Sequence, residues 1–278
     1  MKVGIIGLGL IGGSLAKSIK TRTQHEVAAI DLNPETMMFA RLCGAIDEPL
    51  TDDNLGTCEL IFTAIRPQAT IDWVLAHGAC ISSQTILVDM CGVKRAVCAA
   101  IAPLAERFGF SYIGGHPMAG RERGGFVNSS DNLFAGAPMI LTPDERTDMK
   151  MLEKLKAFFT DIGFSGLTFT TPDEHDRMIA YTSQLAHLTS SAYIRSPDAQ
   201  RRRGFSAGSF QDMTRVARLD EDMWTELMMA NSDYLTDQLE LLVGHLNEYL
   251  EALRDGDAET LCALLRDGRE KKITSGGN

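Results

Sequence analysis

The sequence lacks a basic excess, which limits the partners it can bind. Its 278 residues carry 27 Lys and Arg against 37 Asp and Glu, giving a formal net charge of -10. Nucleic acids and anionic membrane surfaces are bound through a dominant basic field, so we expect neither as a partner. A small anionic substrate needs only one or two well-placed cations and remains compatible with this charge.

The sequence also lacks paired cysteine motifs and a long uninterrupted apolar run. Its six cysteines fall at irregular spacings without a C-x-x-C pair. They predict reduced thiols that pack as small hydrophobic groups, and we expect no metal site. Five glycines interrupt the apolar stretch at residues 3–16, and no other stretch reaches membrane-spanning length without charges. We therefore expect a cytoplasmic protein.

The pattern of the chain changes near residue 170. Before it, short β-rich runs alternate with helical patterns, which is typical of βαβ units around a parallel sheet. Thr171 to Glu174 form a helix-start signal, and only helical patterns follow. We predict an α/β fold with a parallel-sheet domain at residues 1–170, an all-helical domain at residues 171–270 and a flexible tail at residues 271–278.

A glycine-rich turn follows the first predicted strand and opens a helix. Its sequence is G-x-G-x-x-G, whose glycines permit a tight turn, close approach of a pyrophosphate and close helix–strand packing. The phosphates would lie at the helix N-terminus. This pattern predicts a Rossmann-type domain that binds a dinucleotide through Gly7, Gly9, Leu10, Ile11 and Gly12. A flexible glycine turn without a ligand is the alternative.

An acidic residue ends the second predicted strand about 20 residues after the turn. This residue is Asp31. A carboxylate accepts hydrogen bonds from a free ribose 2′-hydroxyl and repels a 2′-phosphate, so Asp31 predicts NAD rather than NADP as the cofactor. Arg41, if it lies nearby, would favour NADP instead.

A histidine follows the strand predicted to end at Gly114. His116 is flanked by Gly115 and Pro117, and α/β folds bind their ligands at the carboxyl edge of the sheet. An imidazole near its ordinary pKa is a competent base at neutral pH. We interpret His116 as a catalytic residue, with a hydrogen-bonded turn histidine as the structural alternative.

These features resemble the prephenate dehydrogenase family, which includes arogenate and cyclohexadienyl dehydrogenases. The matching segments, in the family's order, are the glycine turn and residues 88–94, 116–120, 172–176, 183–187, 210–215 and 223–224. The resemblance implies NAD-dependent oxidative decarboxylation of prephenate to 4-hydroxyphenylpyruvate, a step of tyrosine biosynthesis, with arogenate as the alternative substrate. It also implies that the helical domain forms a homodimer and helps to bind the substrate.

The resemblance further implies roles for individual residues. His116 would accept the proton of the substrate's C4 hydroxyl, and the guanidinium fork of Arg215 would bind a substrate carboxylate. His187 and Gln184 would also contact the substrate. An ion pair with Asp212 is the alternative for Arg215, and a packed core histidine is the alternative for His187. We expect His175 to be structural and Trp224 to pack.

The sequence departs from the family's pattern at three places. Gly92 stands where the family often has a serine that orients the catalytic histidine, so another group must orient His116. Gln184 and Ala186 replace a histidine and a proline, and Gln211 replaces a basic residue. We expect these changes to alter recognition of the substrate's side chain, or inhibition, rather than the reaction type.

Two other functions compete with this reading. The β-hydroxyacid dehydrogenases use a lysine from their helical half, and this sequence has no lysine between Lys156 and Lys271. A non-catalytic NAD sensor would bind the cofactor without turnover.

The arginines at residues 201–203 predict a solvated loop, with a lid over an anionic substrate as the alternative. We expect no regulatory domain, so tyrosine inhibition would act in the active site.

Overall fold

Residues 1–276 are described by a computed structural model, in which eight strands form one sheet. The strands are Lys2–Ile6 (β1), Glu26–Ile30 (β2), Glu48–Pro49 (β3), Leu60–Thr63 (β4), Ile86–Asp89 (β5), Ser111–Pro117 (β6), Pro138–Thr142 (β7) and Gly166–Phe169 (β8). Their order is β3-β2-β1-β4-β5-β6-β7-β8, and all neighbours are parallel except β6 and β7. The predicted parallel sheet is therefore confirmed, with one antiparallel pair.

Twelve helices connect and follow the strands in this part of the chain. They are Leu10–Arg22 (α1), Pro34–Leu42 (α2), Asp52–Leu55 (α3), Pro67–His77 (α4), Arg95–Phe108 (α5), Met149–Asp161 (α6), Pro172–Ile179 (α7), Leu185–Ile194 (α8), Gly208–Thr214 (α9), Glu221–Met229 (α10), Ser232–Asp255 (α11) and Ala258–Thr274 (α12). A π-helical turn, Ala180–Gln184, joins α7 to α8. Prolines at the first turns of α2, α4 and α7 lack the N–H that a helix start leaves unpaired.

The sheet is covered on both faces, as its continuous apolar strands require. Alternate residues of β4 enter different clusters: Phe62 packs with Phe158 of α6 on one face, and Ile61 packs with residues of α5 on the other. The first six strands follow the Rossmann order: from β1 the chain adds β2 and β3 on one side, and then β4, β5 and β6 on the other. That switch point places a crevice beyond the carboxyl ends of β1 and β4.

Strand β6 is longer than the sequence predicts. We expected a strand that ends at Gly114 with His116 just beyond it, but the strand continues to Pro117. The extension arises because β7 pairs with it in the antiparallel direction, placing His116 opposite Ile140. His116 is therefore held by a strand and not by a turn.

The chain divides into two compact units, Met1–Asn231 and Ser232–Asn278. The predicted boundary between residues 170 and 171 divides the chain differently and stays a prediction. In the structure, α7 to α10 belong to the same unit as the sheet. One reason is that Asp176 of α7 accepts the backbone N–H groups of Lys94 and Arg95 at the start of α5.

The second unit consists of α11 and α12. Gly256, with φ of +67°, follows α11, and the Asp257 side chain caps α12. The predicted flexible tail at residues 271–278 is helical as far as Thr274, where Lys271 pairs with Asp267 one turn earlier at 2.6 Å. Residues 277 and 278 lie outside the described part of the chain.

Helix α11 carries an apolar stripe that faces solvent. The stripe consists of Leu239, Val243, Leu246, Leu250 and Leu253, which are 38–63% exposed. Their spacing of three and four residues aligns them along one side of the helix. An exposed apolar stripe of this length is typical of a protein–protein contact.

Other expectations concern thiols, metals and membranes. All six cysteines have free thiols. In residues 1–276 no cluster of His, Cys, Asp or Glu is arranged to hold a metal ion. No helix in the same range has both the length and the apolar character to cross a membrane.

Candidate active site

A cleft of about 730 Å³ opens at the carboxyl edge of the sheet. The glycine turn and the segments after β4 and β5 form one side of it. His116 at the end of β6, the segment after it (residues 117–125), the α7–α8 segment and residues 215–227 form the rest. All these residues belong to the first unit. The cleft therefore lies at the switch point, where this fold binds dinucleotides.

The glycine turn has the shape that a dinucleotide requires. Gly7 has φ of +87°, and a Cβ on Gly12 would lie 1.9 Å from the Gly7 carbonyl oxygen. These two glycines therefore shape the turn itself. A Cβ on Gly9 would meet no atom within 4 Å, and Gly9, Leu10 and Ile11 line the cleft. The open space over Gly9, at the start of α1, fits a pyrophosphate bound by free backbone N–H groups.

Asp31 lies just beyond β2 and is fixed by backbone groups. One carboxylate oxygen accepts the Leu8 N–H at 2.7 Å, and the other accepts the Asn33 N–H at 2.9 Å. Asp31 is thus held against the glycine turn. A fixed carboxylate in this position fits the hydroxyls of an adenosine ribose and disfavours a 2′-phosphate.

His116 is hydrogen-bonded to a second histidine. Its Nδ1 lies 2.8 Å from Nε2 of His175, and Nδ1 of His175 lies 2.7 Å from Oδ1 of Asp176. His175 and Asp176 are buried, whereas His116 is partly buried and lines the cleft. We expected His175 to be structural only. It instead supplies the partner that Gly92 cannot provide, and His116 Nε2 lies on the side of Gly92.

Burial keeps both histidines neutral. It lowers the pKa of His116 well below its ordinary value of 6.5, and nearby His175 and Lys94 lower it further. Burial also lowers the pKa of His175, against the opposing effect of Asp176. Burial alone would raise the pKa of Asp176, but hydrogen bonds from His175 and from the Arg95 and Lys94 N–H groups lower it. Asp176 is therefore a carboxylate.

A buried ion pair lies next to this chain of hydrogen bonds. The Lys94 ammonium pairs with Asp89 and also donates to the Gly115 carbonyl at 2.6 Å. Tyr112 donates to the other Asp89 oxygen at 2.7 Å. Burial disfavours the Lys94 charge, but Asp89 raises the pKa of Lys94 above its ordinary value. Lys94 thus places a fixed positive charge near His116.

His187 lines the cleft, and its ring is held on both sides. Its Nδ1 donates to the Ser183 carbonyl at 2.9 Å, and its ring stacks on Trp224 with centroids 4.0 Å apart. The π-helical turn before it inserts an extra residue into the α7–α8 segment, a feature frequent at functional sites. A substrate contact by His187 stays a prediction. Trp224, which we expected only to pack, also lines the cleft.

Gln184 has partners of its own within the protein. Its side-chain amide donates to the Leu227 carbonyl at 3.2 Å and accepts from Asn231 at 2.9 Å, and the residue is 1% exposed. The sequence does not reveal these partners because both lie more than 40 residues away along the chain. We therefore leave Gln184 out of the proposed substrate contacts and assign it to holding α8 against the α10 end.

Arg215 pairs with an acidic residue across the cleft. Its guanidinium donates to Glu122 at 2.9 Å, so the alternative partner Asp212 is wrong. Arg66 approaches Asp220 at 3.7 Å. The charged side chains that line the cleft are Arg66, Arg121, Arg215, Arg218, Glu122 and Asp220. With four arginines against two carboxylates, the lining is positive in a protein of net charge -10.

The arginines at residues 201–203 lie in an exposed loop. Arg202 donates to the Ala199 carbonyl at 2.8 Å and stacks over Phe210. These contacts agree with the predicted solvated loop.

Sequence reasoning missed two groups of functional residues. The partner of His116 was signalled by two features together, a missing side chain at Gly92 and a His-Asp pair in the first turns of α7. The Glu122–Arg215 pair joins residues 93 positions apart, and no local pattern reveals it.

The Rossmann order, the glycine turn with Asp31 and the cleft beside it are those of an NAD-binding protein. A family model described as prephenate dehydrogenase, nucleotide-binding domain, matches residues 15–165, and one described as prephenate dehydrogenase, dimerization domain, matches residues 171–267. The chain therefore belongs to the prephenate dehydrogenase family, and the β-hydroxyacid dehydrogenase alternative is excluded.

Individual relatives agree with this assignment. Prephenate dehydrogenase of Bacillus subtilis is 28% identical over 279 residues, covering 96% of this chain and 74% of the relative. The crystal structure of prephenate dehydrogenase from Aquifex aeolicus in complex with hydroxyphenyl propionate and NAD+ has a TM-score of 0.84 at 26% identity, covering 99% of this chain and 98% of that one. Synechocystis arogenate dehydrogenase has a TM-score of 0.78 at 28% identity, covering 99% and 100%.

The two kinds of glycine in the turn predict different effects of an added methyl group. Gly9→Ala has space within the protein, so we expect an unchanged melting temperature but weaker NAD binding, because the methyl group enters the pyrophosphate position. Gly12→Ala meets the Gly7 carbonyl, so we expect lower stability as well. Thermal unfolding and NAD titration by calorimetry measure the two effects. Unchanged NAD affinity in Gly9→Ala would contradict the assigned pyrophosphate position.

Proposed function

We propose that this chain catalyses the NAD-dependent oxidative decarboxylation of prephenate to 4-hydroxyphenylpyruvate. The observation that carries this proposal is a neutral, strand-held His116 that borders the same cleft as the glycine turn and an arginine-rich lining. The family membership and the substrates named for its relatives support the same reaction. A non-catalytic NAD sensor would need neither the neutral base nor the positive lining.

In the proposed mechanism, His116 accepts a proton at Nε2. This atom lies 4.0 Å from the place that a Cβ on Gly92 would take, and His116 and Gly92 both line the cleft. When bound, NAD would accept the hydride that leaves ring C4, and loss of CO2 from C1 makes the ring aromatic. Removing the proton of the C4 hydroxyl as this bond rearrangement proceeds is general base catalysis, which contributes on the order of 10²–10⁴-fold.

Arg215 binds one substrate carboxylate in this mechanism. In the structure its guanidinium is paired with Glu122, and both side chains are about half exposed or more, at 65% and 46%. A substrate carboxylate can replace Glu122 because an arginine fork binds any carboxylate with the same two-bond geometry. His187 and Trp224 border the same space and are proposed to contact the substrate ring.

The charges of the cleft favour prephenate over arogenate. Prephenate carries two carboxylates, whereas arogenate carries an ammonium group in addition. Both acidic residues of the described lining, Glu122 and Asp220, already lie beside arginines. The ammonium of arogenate thus finds no unpaired carboxylate there, while Arg121 and Arg218 add positive charge for a dianion.

We also propose that the protein forms a homodimer. Its C-terminal part matches a model described as a dimerization domain. The apolar stripe of α11 offers a surface that a second copy can cover. A cytoplasmic location stays a prediction from the sequence.

Turnover with prephenate and NAD, followed through the absorbance of reduced nicotinamide, tests the proposed reaction. We expect His116→Asn to lower kcat on the order of 10²–10⁴-fold with little change in KM, because it removes the base but not the carboxylate ligand. We expect Arg215→Ala to raise KM for prephenate strongly and Arg215→Lys to raise it less. Arg201→Ala, in the exposed loop, is the matched control. Wild-type protein that binds NAD without turnover of prephenate or arogenate would instead support a sensor.

The pH dependence of kcat/KM tests whether a neutral His116 is the base. A base must be unprotonated to act, and burial lowers the pKa of His116 well below 6.5. The neutral form therefore persists as the pH falls through 6.5, so we expect kcat/KM to stay level there and to decline only at clearly lower pH. An acid limb centred at pH 6.5, as for a histidine in water, would contradict this assignment.

Light scattering coupled to gel filtration tests the homodimer. Leu246→Glu places a charge in the middle of the apolar stripe and is expected to shift the mass from dimer towards monomer. Leu42→Glu changes an exposed leucine of α2 and serves as the control. A Leu246→Glu protein that remains fully dimeric would place the interface elsewhere.

A further inference from the structure

Two ring nitrogens of the His116–His175 pair have their protons fixed by their neighbours. An ionised carboxylate only accepts hydrogen bonds, so the 2.7 Å contact with Asp176 requires a proton on Nδ1 of His175. A neutral imidazole carries one proton, so Nε2 of His175 has a free lone pair. That lone pair accepts a hydrogen bond from Nδ1 of His116 across 2.8 Å.

The same reasoning determines the state of the remaining nitrogen. Because the proton of neutral His116 lies on Nδ1, its Nε2 carries a free lone pair. Position 92 is a glycine, and even an added Cβ there would lie 4.0 Å from this atom. The only nitrogen of the pair that can take up a proton from a substrate therefore borders the cleft.

We infer that His175 and Asp176 are positioning residues that hold His116 in its Nδ1–H tautomer and orient its Nε2 as the base. This inference rests on the proposed reaction and names what replaces the missing side chain at Gly92. When Nε2 takes up the substrate proton, the imidazolium keeps its Nδ1–H bond to His175. The negative charge of Asp176, transmitted through the polarised His175 ring, then stabilises the charge on His116.

The fold holds Asp176 ready for this role. Its two oxygens accept the N–H groups of Lys94 at 2.7 Å and Arg95 at 2.9 Å, which stand at the N-terminus of α5. A helix N-terminus favours a negative charge, and α5 has 14 residues. Asp176 is 0% exposed, so water does not weaken these contacts. The carboxylate is therefore fixed by a helix that packs on the sheet carrying His116.

Three substitutions of His175 separate positioning from a purely structural role. The amide of His175→Gln reaches the place of Nε2, so its oxygen can accept from His116 Nδ1. The shorter amide of His175→Asn reaches the place of Nδ1, so it keeps the Asp176 contact but loses His116. His175→Phe keeps the ring shape and loses both. Thermal unfolding of each variant reports the cost to the fold.

The kinetic order of these variants decides between the two roles. We expect His175→Asn and His175→Phe to lower kcat by about 10²-fold or more, with KM for prephenate changed only a few-fold. We expect His175→Gln to recover at least about tenfold of that loss, although it no longer donates to Asp176. If His175→Asn is instead the more active amide variant, or if all three resemble wild type, the inference is wrong.

A spectrum that needs no turnover tests the tautomer separately from the reaction. In 15N-labelled protein, long-range proton–nitrogen correlations distinguish protonated from bare ring nitrogens, and His116→Asn identifies the His116 signals. We expect a protonated Nδ1 and a bare Nε2 for His116 in wild type and in His175→Gln, and loss of that preference in His175→Asn. A protonated Nε2 in wild type overturns the inference even if prephenate is turned over. The expected tautomer without turnover of prephenate would overturn the proposed function alone.

Discussion

The hydrogen bond between His116 and His175 is the interaction on which the site depends. It joins the end of the strand β6 to the helix α7, 59 residues further along the chain. A buried donor left without a partner costs about 1–3 kcal/mol. This cost favours the ring orientation in which His116 Nδ1 bonds to His175. The same bond determines which ring nitrogen faces the cleft. The packing of α7 against the sheet thereby determines which nitrogen of His116 is available as a base.

Burial keeps the two histidines neutral, and the charged groups around their hydrogen bond are themselves compensated. The Asp176 carboxylate accepts hydrogen bonds from two N–H groups at the start of α5, and the Asp89 carboxylate pairs with the Lys94 ammonium. Each buried charge thus has an opposite charge or a donor beside it, as burial in a protein interior requires. The cleft itself has the opposite design. Its arginines are exposed, and the Arg215 ion pair is accessible to solvent, so an anionic ligand can exchange for Glu122.

Local patterns predicted most of the fold and the cofactor site. The first and second predicted strands are present as β1 and β2, and the glycine turn follows β1 as its pattern predicts. These features depend on neighbours in sequence, so short windows reveal them. The antiparallel β7 did not follow from local pattern, because strand direction depends on pairing in space. The longer β6, and with it the strand position of His116, has the same cause.

The hydrogen-bond and ion-pair partners within the site were harder to predict, because they too depend on contacts between residues distant in sequence. His116, Gln184 and Arg215 were found from residue type and motif, but their partners His175, Asn231 and Glu122 are each more than 40 residues away. Periodicity carries no information at that distance. For Gln184 the missing partners changed the interpretation from a substrate contact to a packing role. For His175 they changed it from a structural residue to the neighbour of the proposed base.

A crystal structure of the protein with NAD and a 4-hydroxyphenyl carboxylate tests the account most directly, because it locates both ends of the ligand at once. We predict that the phenolic hydroxyl lies within about 3 Å of His116 Nε2 and that the carboxylate binds Arg215, with the His116–His175 hydrogen bond intact. A ligand whose hydroxyl lies away from His116, or a His116 ring that turns its Nδ1 into the cleft, would contradict it.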